Sequence, residues 1–316
     1  MLKRLILAAA LACATTPMGL VPAHAADKLT VLLDWFVNPD HAPLVIAKEK
    51  GFYKAAGLDV DLVAPADPAA PPRLVAAKQA DIAITYQPDH ILAVKEGLPL
   101  VRFGTLVETP LNTVMALQDG PIKTIADLKG KKIGYSVSGF EDVILGTLLK
   151  NAGLTLKDVE LVNVNFNLTS ALMAGQVDAI VGGYRNFEAT ELELAGKKAR
   201  VFYVEENGVP AYDELIYVTH KDRANDPILR RFLDATEQAT MWMSNHPDEA
   251  YAVFKGTDPK LADELNRRAF YDTLPRFAHR PAAIDTVRVN RFAEFLKERG
   301  LLDKVPPVDS YVVMAK

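Results

Sequence analysis

The chain has one cysteine in 316 residues, Cys13. It sits in an opening stretch ordered like an export leader: basic Lys3 and Arg4, an apolar run over 5–13, and the small-x-small site Ala23-His24-Ala25. Cleavage near Ala25 removes the thiol, so the mature chain has neither a disulfide nor cysteine chemistry. A bacterial periplasm is the expected location. The leader's run is too short to span a bilayer, and no later stretch approaches the roughly 18 apolar residues that a span needs. Charge of one sign is not concentrated anywhere. There are 36 Lys and Arg against 40 Asp and Glu, a net charge of -4, and loss of Lys3 and Arg4 takes it to about -6. Without a basic stripe or polybasic patch, nucleic acid and lipid surfaces are not expected partners. Catalytic signatures are also missing: no G-x-S-x-G elbow, no P-loop, no G-x-G-x-x-G, no H-E-x-x-H and no Cys/His metal spacing. No cofactor and no metal are expected.

What the chain does have is a loose internal repeat. Ala56-Gly57-Leu58 and Val60-Asp61-Leu62-Val63 return as Ala152-Gly153-Leu154 and Val159-Glu160-Leu161-Val162. Gln79-Ala80-Asp81-Ile82-Ala83-Ile84-Thr85-Tyr86 returns as Gln176-Val177-Asp178-Ala179-Ile180-Val181-Gly182-Gly183-Tyr184. The offset grows from 96 residues at the first glycine to 98 at the tyrosine. A period this long is not a solenoid, and it implies two similar α/β lobes with a cleft between them. A hydrophobic content of 49% is ample for their cores. The patterns predict strands over 29–33, 60–63, 81–85 and 101–107, separated by helices over 39–55, 72–78 and 88–96. The second copy predicts strands over 132–135, 159–164, 179–181 and 200–204, with a helix over 140–151. Such an order calls for largely parallel sheets with helices on both faces. A strand over 215–219 leads back to the first lobe, followed by helices over 227–244, 247–254, 259–271 and 282–298, each opening near a proline. Crossings near 112–117 and 213–217 make a hinge. Lobe one is then 26–114 plus 216–316, and lobe two 115–215.

Ligands of open α/β sheets bind beyond the carboxyl ends of strands, and four such ends stand out. The first is Asp34-Trp35-Phe36-Val37-Asn38-Pro39-Asp40-His41. Trp35 offers a stacking face beside the free N–H groups of a helix start, with Asn38 and His41 near it. Equally, Trp35 can be a core residue and Asn38 an N-cap. The second, Tyr86-Gln87-Pro88-Asp89-His90, repeats the Pro-Asp-His element. A metal at His41 or His90 is disfavoured, because neighbouring Asp and His point in different directions on a helix. The preference for acids at helix N-termini accounts for Asp40 and Asp89. The third, Tyr135-Ser136-Val137-Ser138-Gly139-Phe140-Glu141, is a cradle for an anion or polar group, or a plain Ser138 cap. The fourth is Gly182-Gly183-Tyr184-Arg185-Asn186-Phe187-Glu188. Gly183 lets backbone approach a ligand, Tyr184 can stack, and Glu188 can accept from an amino group and a ring N–H, or simply cap its helix. Arg185 either faces solvent or clamps an anion. The candidate ligand-binding set is Trp35, Asn38, His41, Tyr86, Gln87, Ser138, Gly183, Tyr184 and Glu188, with no catalytic residue.

Three segments carry a family resemblance. They are Leu33-Asp34-Trp35-Phe36-Val37-Asn38-Pro39-Asp40-His41-Ala42, Lys50-Gly51-Phe52-Tyr53-Lys54-Ala55-Ala56-Gly57-Leu58, and the fourth strand end above. Together they resemble the periplasmic solute-binding proteins of ABC importers, and more narrowly the branch related to fungal thiamine-pyrimidine synthases. Ile125-Ala126-Asp127-Leu128-Lys129-Gly130-Lys131-Lys132-Ile133-Gly134 is common to the wider group and speaks for the fold. The resemblance covers essentially the whole mature chain. It implies a type II two-lobe α/β fold. It also implies capture of an aminopyrimidine, of the hydroxymethyl- or formylaminomethyl-pyrimidine type, for a membrane permease and its ATPase. Trp35 and Tyr184 match the stacking role, Asn38 and Tyr86 a polar role, and Glu188 the acidic role. The chain is expected to work as a monomer. Riboflavin, a sulfonate or another small aromatic solute is the alternative ligand, and a sulfonate would call for Arg185 and Ser138 in the cleft. A pyrimidine synthase-like enzyme using His41 or His90 is the alternative of another class. The cysteine-rich iron site of the fungal synthases has no counterpart in the mature chain.

Overall fold

The computed structural model describes residues 25–316, so the leader expected over 1–25 lies outside the described residues except for Ala25. The first half runs β1 (Asp27–Leu32), α1 (Ala42–Glu49), α2 (Phe52–Ala55), β2 (Leu58–Val63), α3 (Pro71–Ala76), β3 (Ile82–Thr85), α4 (Gln87–Lys95) and β4 (Leu100–Val107). The second runs β5 (Asn112–Leu117), β6 (Lys132–Tyr135), α5 (Phe140–Asn151), β7 (Glu160–Asn163), α6 (Leu168–Met173), β8 (Ala179–Tyr184), α7 (Glu188–Leu194) and β9 (Ala199–Tyr203). The chain then passes through β10 (Leu215–His220) to α8 (Pro227–Asn245), α9 (Pro247–Lys255), α10 (Glu264–Thr273) and α11 (Thr286–Glu298).

Two five-stranded sheets result, ordered β2-β1-β3-β10-β4 and β7-β6-β8-β5-β9. The orders match position by position, β1 with β6, β3 with β8 and β10 with β5, so the sequence repeat is a repeat of topology. Each sheet is mixed rather than wholly parallel. β10 is antiparallel to β3 and β4, and β5 is antiparallel to β8 and β9. The remaining pairs are parallel. In each sheet the reversed strand is the one that has just crossed from the other.

Three expectations need correction. The segment expected as a crossing, 112–117, is β5. Its polar start reads as a loop, yet Asn112 Oδ1 accepts from Gly182 N at 3.3 Å and Thr113 Oγ1 donates to Gly183 O at 2.7 Å, so both side chains serve the neighbouring strand. The crossings are 108–111 and 204–214. The helix expected over 39–55 is broken, with a 3-10 turn at Pro39–His41 and Gly51 in a left-handed conformation (φ 78°) between α1 and α2. The helix expected over 259–271 likewise splits, because Asp263 Oδ1 accepts from Asn266 N at 2.8 Å and caps a fresh start for α10.

The C-terminal helices pack on the first sheet. Phe232 of α8 stacks on Tyr53 of α2, with ring centroids 5.4 Å apart and planes 5° apart, and meets Tyr217 of β10 edge-on at 5.3 Å. Two residues of the return crossing bind it to its surroundings. Glu214 accepts from the backbone N–H groups of Leu111 and Asn112 at 2.6 and 2.9 Å, which joins the two crossings to each other. Asp213 pairs with Arg102 of β4. That guanidinium is fully buried, and it donates to Gln87 Oε1 at 2.8 Å and Thr105 Oγ1 at 2.6 Å. Among the described residues no helix is long and apolar enough to cross a membrane.

Phe232 is fully buried among aromatic neighbours that cannot collapse inward without losing their own contacts. Phe232→Ala is expected to lower the unfolding free energy by about 3–5 kcal/mol in urea denaturation. A loss below about 1 kcal/mol would show that the first lobe does not depend on this contact.

Candidate functional site

The carboxyl ends of β1, β3, β6 and β8 converge on a cavity between the sheets, with about 430 Å³ of atom-free space, its open mouth included. Asp34, Trp35, Asn38 and Asp40 line it from the segment after β1, and Tyr86 from the end of β3. Phe140 and Glu141 enter from the start of α5, Gly182 and Tyr184 from β8, and Phe187 and Glu188 from the turn into α7. Asn112 and Leu168 complete the wall.

The segment after β1 is shaped by its own side chains. Asn38 Oδ1 accepts from Asp40 N at 2.8 Å and starts the 3-10 turn. Asn38 N donates to His41 Nδ1 at 3.3 Å, which leaves the ring proton on Nε2. Nε2 then donates to Asp34 Oδ1 at 2.9 Å, and Tyr86 OH donates to Asp34 Oδ2 at 3.1 Å. Asp34 therefore has a donor on each oxygen. The other acids are met by backbone: Ser136 N donates to Glu141 Oε2 at 2.7 Å and Tyr184 N donates to Glu188 Oε2 at 2.7 Å. Gly182 stands opposite Glu141 with φ 95°, and a Cβ there would come within 2.1 Å of Glu141 Oε1. Only a bare Cα fits without displacing the acid.

Among the described residues no Lys or Arg side chain lines the cavity, and the carboxyl groups respond to that. Burial pushes Glu188 up to about 8 and Asp40 up to about 6, and holds Glu141 well above the usual carboxylate range. Glu214, beside Tyr184, is raised by burial to about 7. Glu188 thus carries a proton at neutral pH and can donate as well as accept. The flat walls are aromatic. Tyr86 and Phe140 stack at 4.7 Å with planes 10° apart, and Trp35 meets Phe166 edge-on at 4.6 Å. Trp35 and Phe166 come from opposite sides of the cleft. Among the described residues no group of three or more His, Cys, Asp or Glu is placed to hold a metal ion.

Of the residues singled out from sequence, Trp35, Asn38, Tyr86, Tyr184 and Glu188 come together on this cavity. His41 does not reach it. Its ring is fully buried behind Asp34 with both nitrogens engaged. Gln87 is turned into the protein and held by Arg102. Ser138 lines a separate hollow with Arg73 and Asp89. Gly183 is buried in the β5–β8 pairing, and its neighbour Gly182 makes the close approach. Arg185 is clamped by Glu205, at 2.6 and 2.8 Å, and lies over the Tyr203 ring. Asp34, Asp40, Phe140, Glu141, Gly182 and Phe187 stand in the strand-end segments singled out above but were not in the candidate ligand-binding set, and Asn112 and Leu168 lie outside those segments. A signal for two of them was present. Asp40, Glu141 and Glu188 each stand in the first turn after a strand end, and helix-terminus preference explains each one singly but not their convergence.

Comparison with known proteins places these features in a family. A model described as NMT1/THI5 like matches residues 38–250. A Haemophilus influenzae protein whose name refers to thiamine biosynthesis is 48% identical over 300 residues, covering 94% of this chain and 96% of that one. The formylaminopyrimidine-binding protein of Halalkalibacterium halodurans is 36% identical over 232 residues, covering 73% of this chain and 70% of that one. Relatives at 25% to 28% identity bear the name 4-amino-5-hydroxymethyl-2-methylpyrimidine phosphate synthase. Among solved structures, the alkanesulfonate-binding protein SsuA of Xanthomonas axonopodis pv. citri, bound to MOPS, aligns with a TM-score of 0.71 at 19% identity, over 92% of this chain and 99% of that one. The chain therefore has the two-lobe periplasmic-binding-protein fold.

The raised Glu188 carboxyl makes stability depend on pH in a defined direction. The native state holds a proton that the unfolded chain releases above its ordinary value of 4.5. That contribution is full below pH 4.5, declines above it, and is gone once pH passes about 8. In denaturant titrations, the unfolding free energy of the parent minus that of Glu188→Gln should fall from pH 5 to pH 8, by at most about 1.4 kcal/mol per pH unit. A flat difference would place Glu188 in a wetter site than its burial indicates.

Proposed function

This chain belongs to the NMT1/THI5-like family, and we infer that it captures a thiamine-related aminopyrimidine by closing two lobes around it. In this reading the mature protein works in the periplasm as a monomer, is not an enzyme, and hands its ligand to an ABC permease with a cytoplasmic ATPase. The lobes in this reading are 26–107 with 215–316 and 112–203, a few residues from the expected 26–114 with 216–316 and 115–215, and 108–111 and 204–214 serve as the hinge.

The observation that carries the reading is an aromatic-walled cavity lined by carboxyl groups and no cationic side chain. An aminopyrimidine is flat, donates through its amino N–H groups and accepts through its ring nitrogens. A carboxylic acid that keeps its proton matches that edge, since its O–H faces a ring nitrogen while its carbonyl oxygen accepts from the amino group. Glu188 has that protonation state at neutral pH. Asn112 Nδ2 has no protein partner and supplies one more donor. Trp35 and Tyr184 offer faces for stacking. The name of the formylaminopyrimidine-binding relative points to the same class of ligand.

The alternatives have less support. A sulfonate needs a cation or a hydroxyl cradle, but Arg185 is committed to Glu205 and Ser138 lines another hollow. A synthase using histidine would need a free imidazole. His41 has both nitrogens engaged, and His90 is buried, with its pKa driven down to about 3 by burial.

Calorimetry of the mature protein with hydroxymethyl- and formylaminomethyl-pyrimidine, thiamine, riboflavin, taurine and nitrate tests this. Binding of at least one pyrimidine is expected, and Glu188→Leu, which removes both the O–H donor and the carbonyl acceptor, should weaken it by about 1–3 kcal/mol, the cost of leaving buried polar groups unmatched. Tight binding of a sulfonate or flavin with no response to any pyrimidine would overturn the reading.

A further inference from the structure

We propose that Asp40 couples ligand capture to lobe closure: one carboxylate oxygen bonds across the cleft to Asn186, and the other accepts a ligand N–H. The inference rests on the capture function above, and goes beyond it in naming a buried polar pair that bridges the lobes.

Asp40 is 1% exposed and Asn186 is 2% exposed. Asn186 stands in the turn between β8 and α7, on the second lobe, and Asp40 follows β1 on the first. Asn186 Nδ2 donates to Asp40 Oδ1 at 2.7 Å and approaches Thr273 Oγ1 at 2.6 Å. Thr273, on α10, donates to the same Asp40 oxygen at 2.8 Å. α10 packs against the turn that carries Asp40 and also touches α7 of the second lobe. In the proposed opening Thr273 stays with Asp40 on its own lobe, and Asn186 is the member that leaves. Asp40 Oδ1 thus accepts from Asn186 Nδ2, and from the Thr273 hydroxyl when the one proton of that hydroxyl is not turned to Ala269 O at 2.7 Å. Oδ2 is buried and has no hydrogen-bond partner among the described residues. Asp40 lines the cavity, whereas Asn186 does not.

A buried carboxylate oxygen without a donor is costly in a low dielectric. A ligand N–H placed on Oδ2 removes that cost and favours the ionised form of Asp40. An ionised acceptor binds Asn186 more strongly than a neutral one. A ligand able to donate at this point therefore tightens the contact between the lobes, and one lacking the donor does not. Asp40 selects by chemistry inside the cavity, while Asn186 acts only by positioning.

Asn186→Ala separates these roles, since the substituted side chain is outside the cavity. Stopped-flow measurements should use whichever pyrimidine binds the parent in calorimetry. The dissociation rate should rise roughly ten-fold or more, the scale of one charge-assisted hydrogen bond, with the association rate changed less than about two-fold. An unchanged dissociation rate overturns the proposal. If no pyrimidine binds the parent, the assigned ligand fails, and small-angle scattering of the ligand-free proteins decides the latch. The variant should then have the larger radius of gyration, with red-shifted Trp35 emission in a Trp242→Phe background, and superimposable curves and spectra overturn the proposal. The swap Asp40→Asn with Asn186→Asp exchanges donor and acceptor. It should restore compactness without restoring affinity, and a swap as open as either single variant contradicts the pairing. Should Asn186→Ala fail to fold, Thr273→Val removes one donor to Asp40 with little change of shape, and it is expected to speed dissociation by a smaller factor; no change there also overturns the proposal.

Discussion

A carboxyl group buried with no cation beside it must be met by hydrogen-bond donors or keep its proton, and the cleft is organised around that constraint. Asp34 is met by His41 and Tyr86, Glu141 by Ser136 N, Glu188 by Tyr184 N, and Glu214 by the N–H groups of Leu111 and Asn112 with the Tyr212 hydroxyl. Most of these donors are backbone groups at strand ends or in the turns that lead into helices, where N–H groups have no partner within the element. The βα turns that face the cleft are therefore the places where acids can be buried, and they are where the acids stand.

The same constraint links the site to the hinge. Glu214 is one residue before β10, yet its donors come from the other crossing, so the two strands of the hinge share one acceptor. Asp213 beside it answers the buried Arg102. The two crossings are thus tied down by two neighbouring acids, one met by backbone N–H groups and a hydroxyl, the other by a guanidinium. Under the proposed function, the donors that complete the cavity come from the ligand, and only when both lobes surround it. Binding and closure then stabilise the same arrangement of carboxyl groups.

Much of the scaffold was legible in sequence because its signals are local. The strand at Lys132–Tyr135 and the helix at Phe140–Asn151 fall where periodicity put them, and the paired Gln-x-Asp segments mark equivalent strands β3 and β8. The β5 strand was hidden because Asn112 and Thr113 look like loop residues until the backbone groups of β8 that they serve are known. At the site, rings and acids at strand ends were readable: Trp35, Tyr86, Tyr184 and Glu188. The direction each side chain takes within a turn was not. His41 and Asp40 are adjacent, but the Asn38 cap turns one ring into the core and leaves the neighbouring carboxylate on the cavity. Gly182 and Gly183 differ in the same way, because the register shift in the β5–β8 pairing decides which of them faces Glu141.

Under the proposed function this cavity selects a flat, uncharged, donor-bearing ring and rejects anions. A calorimetric comparison of hydroxymethylpyrimidine with its phosphate ester isolates that claim, since the ring is the same and only the charge differs. The free alcohol is expected to bind and the phosphate to bind at least about 100-fold more weakly, because the carboxyl-lined cavity holds no cation to offset the phosphate charge. Equal or tighter binding of the phosphate would contradict it.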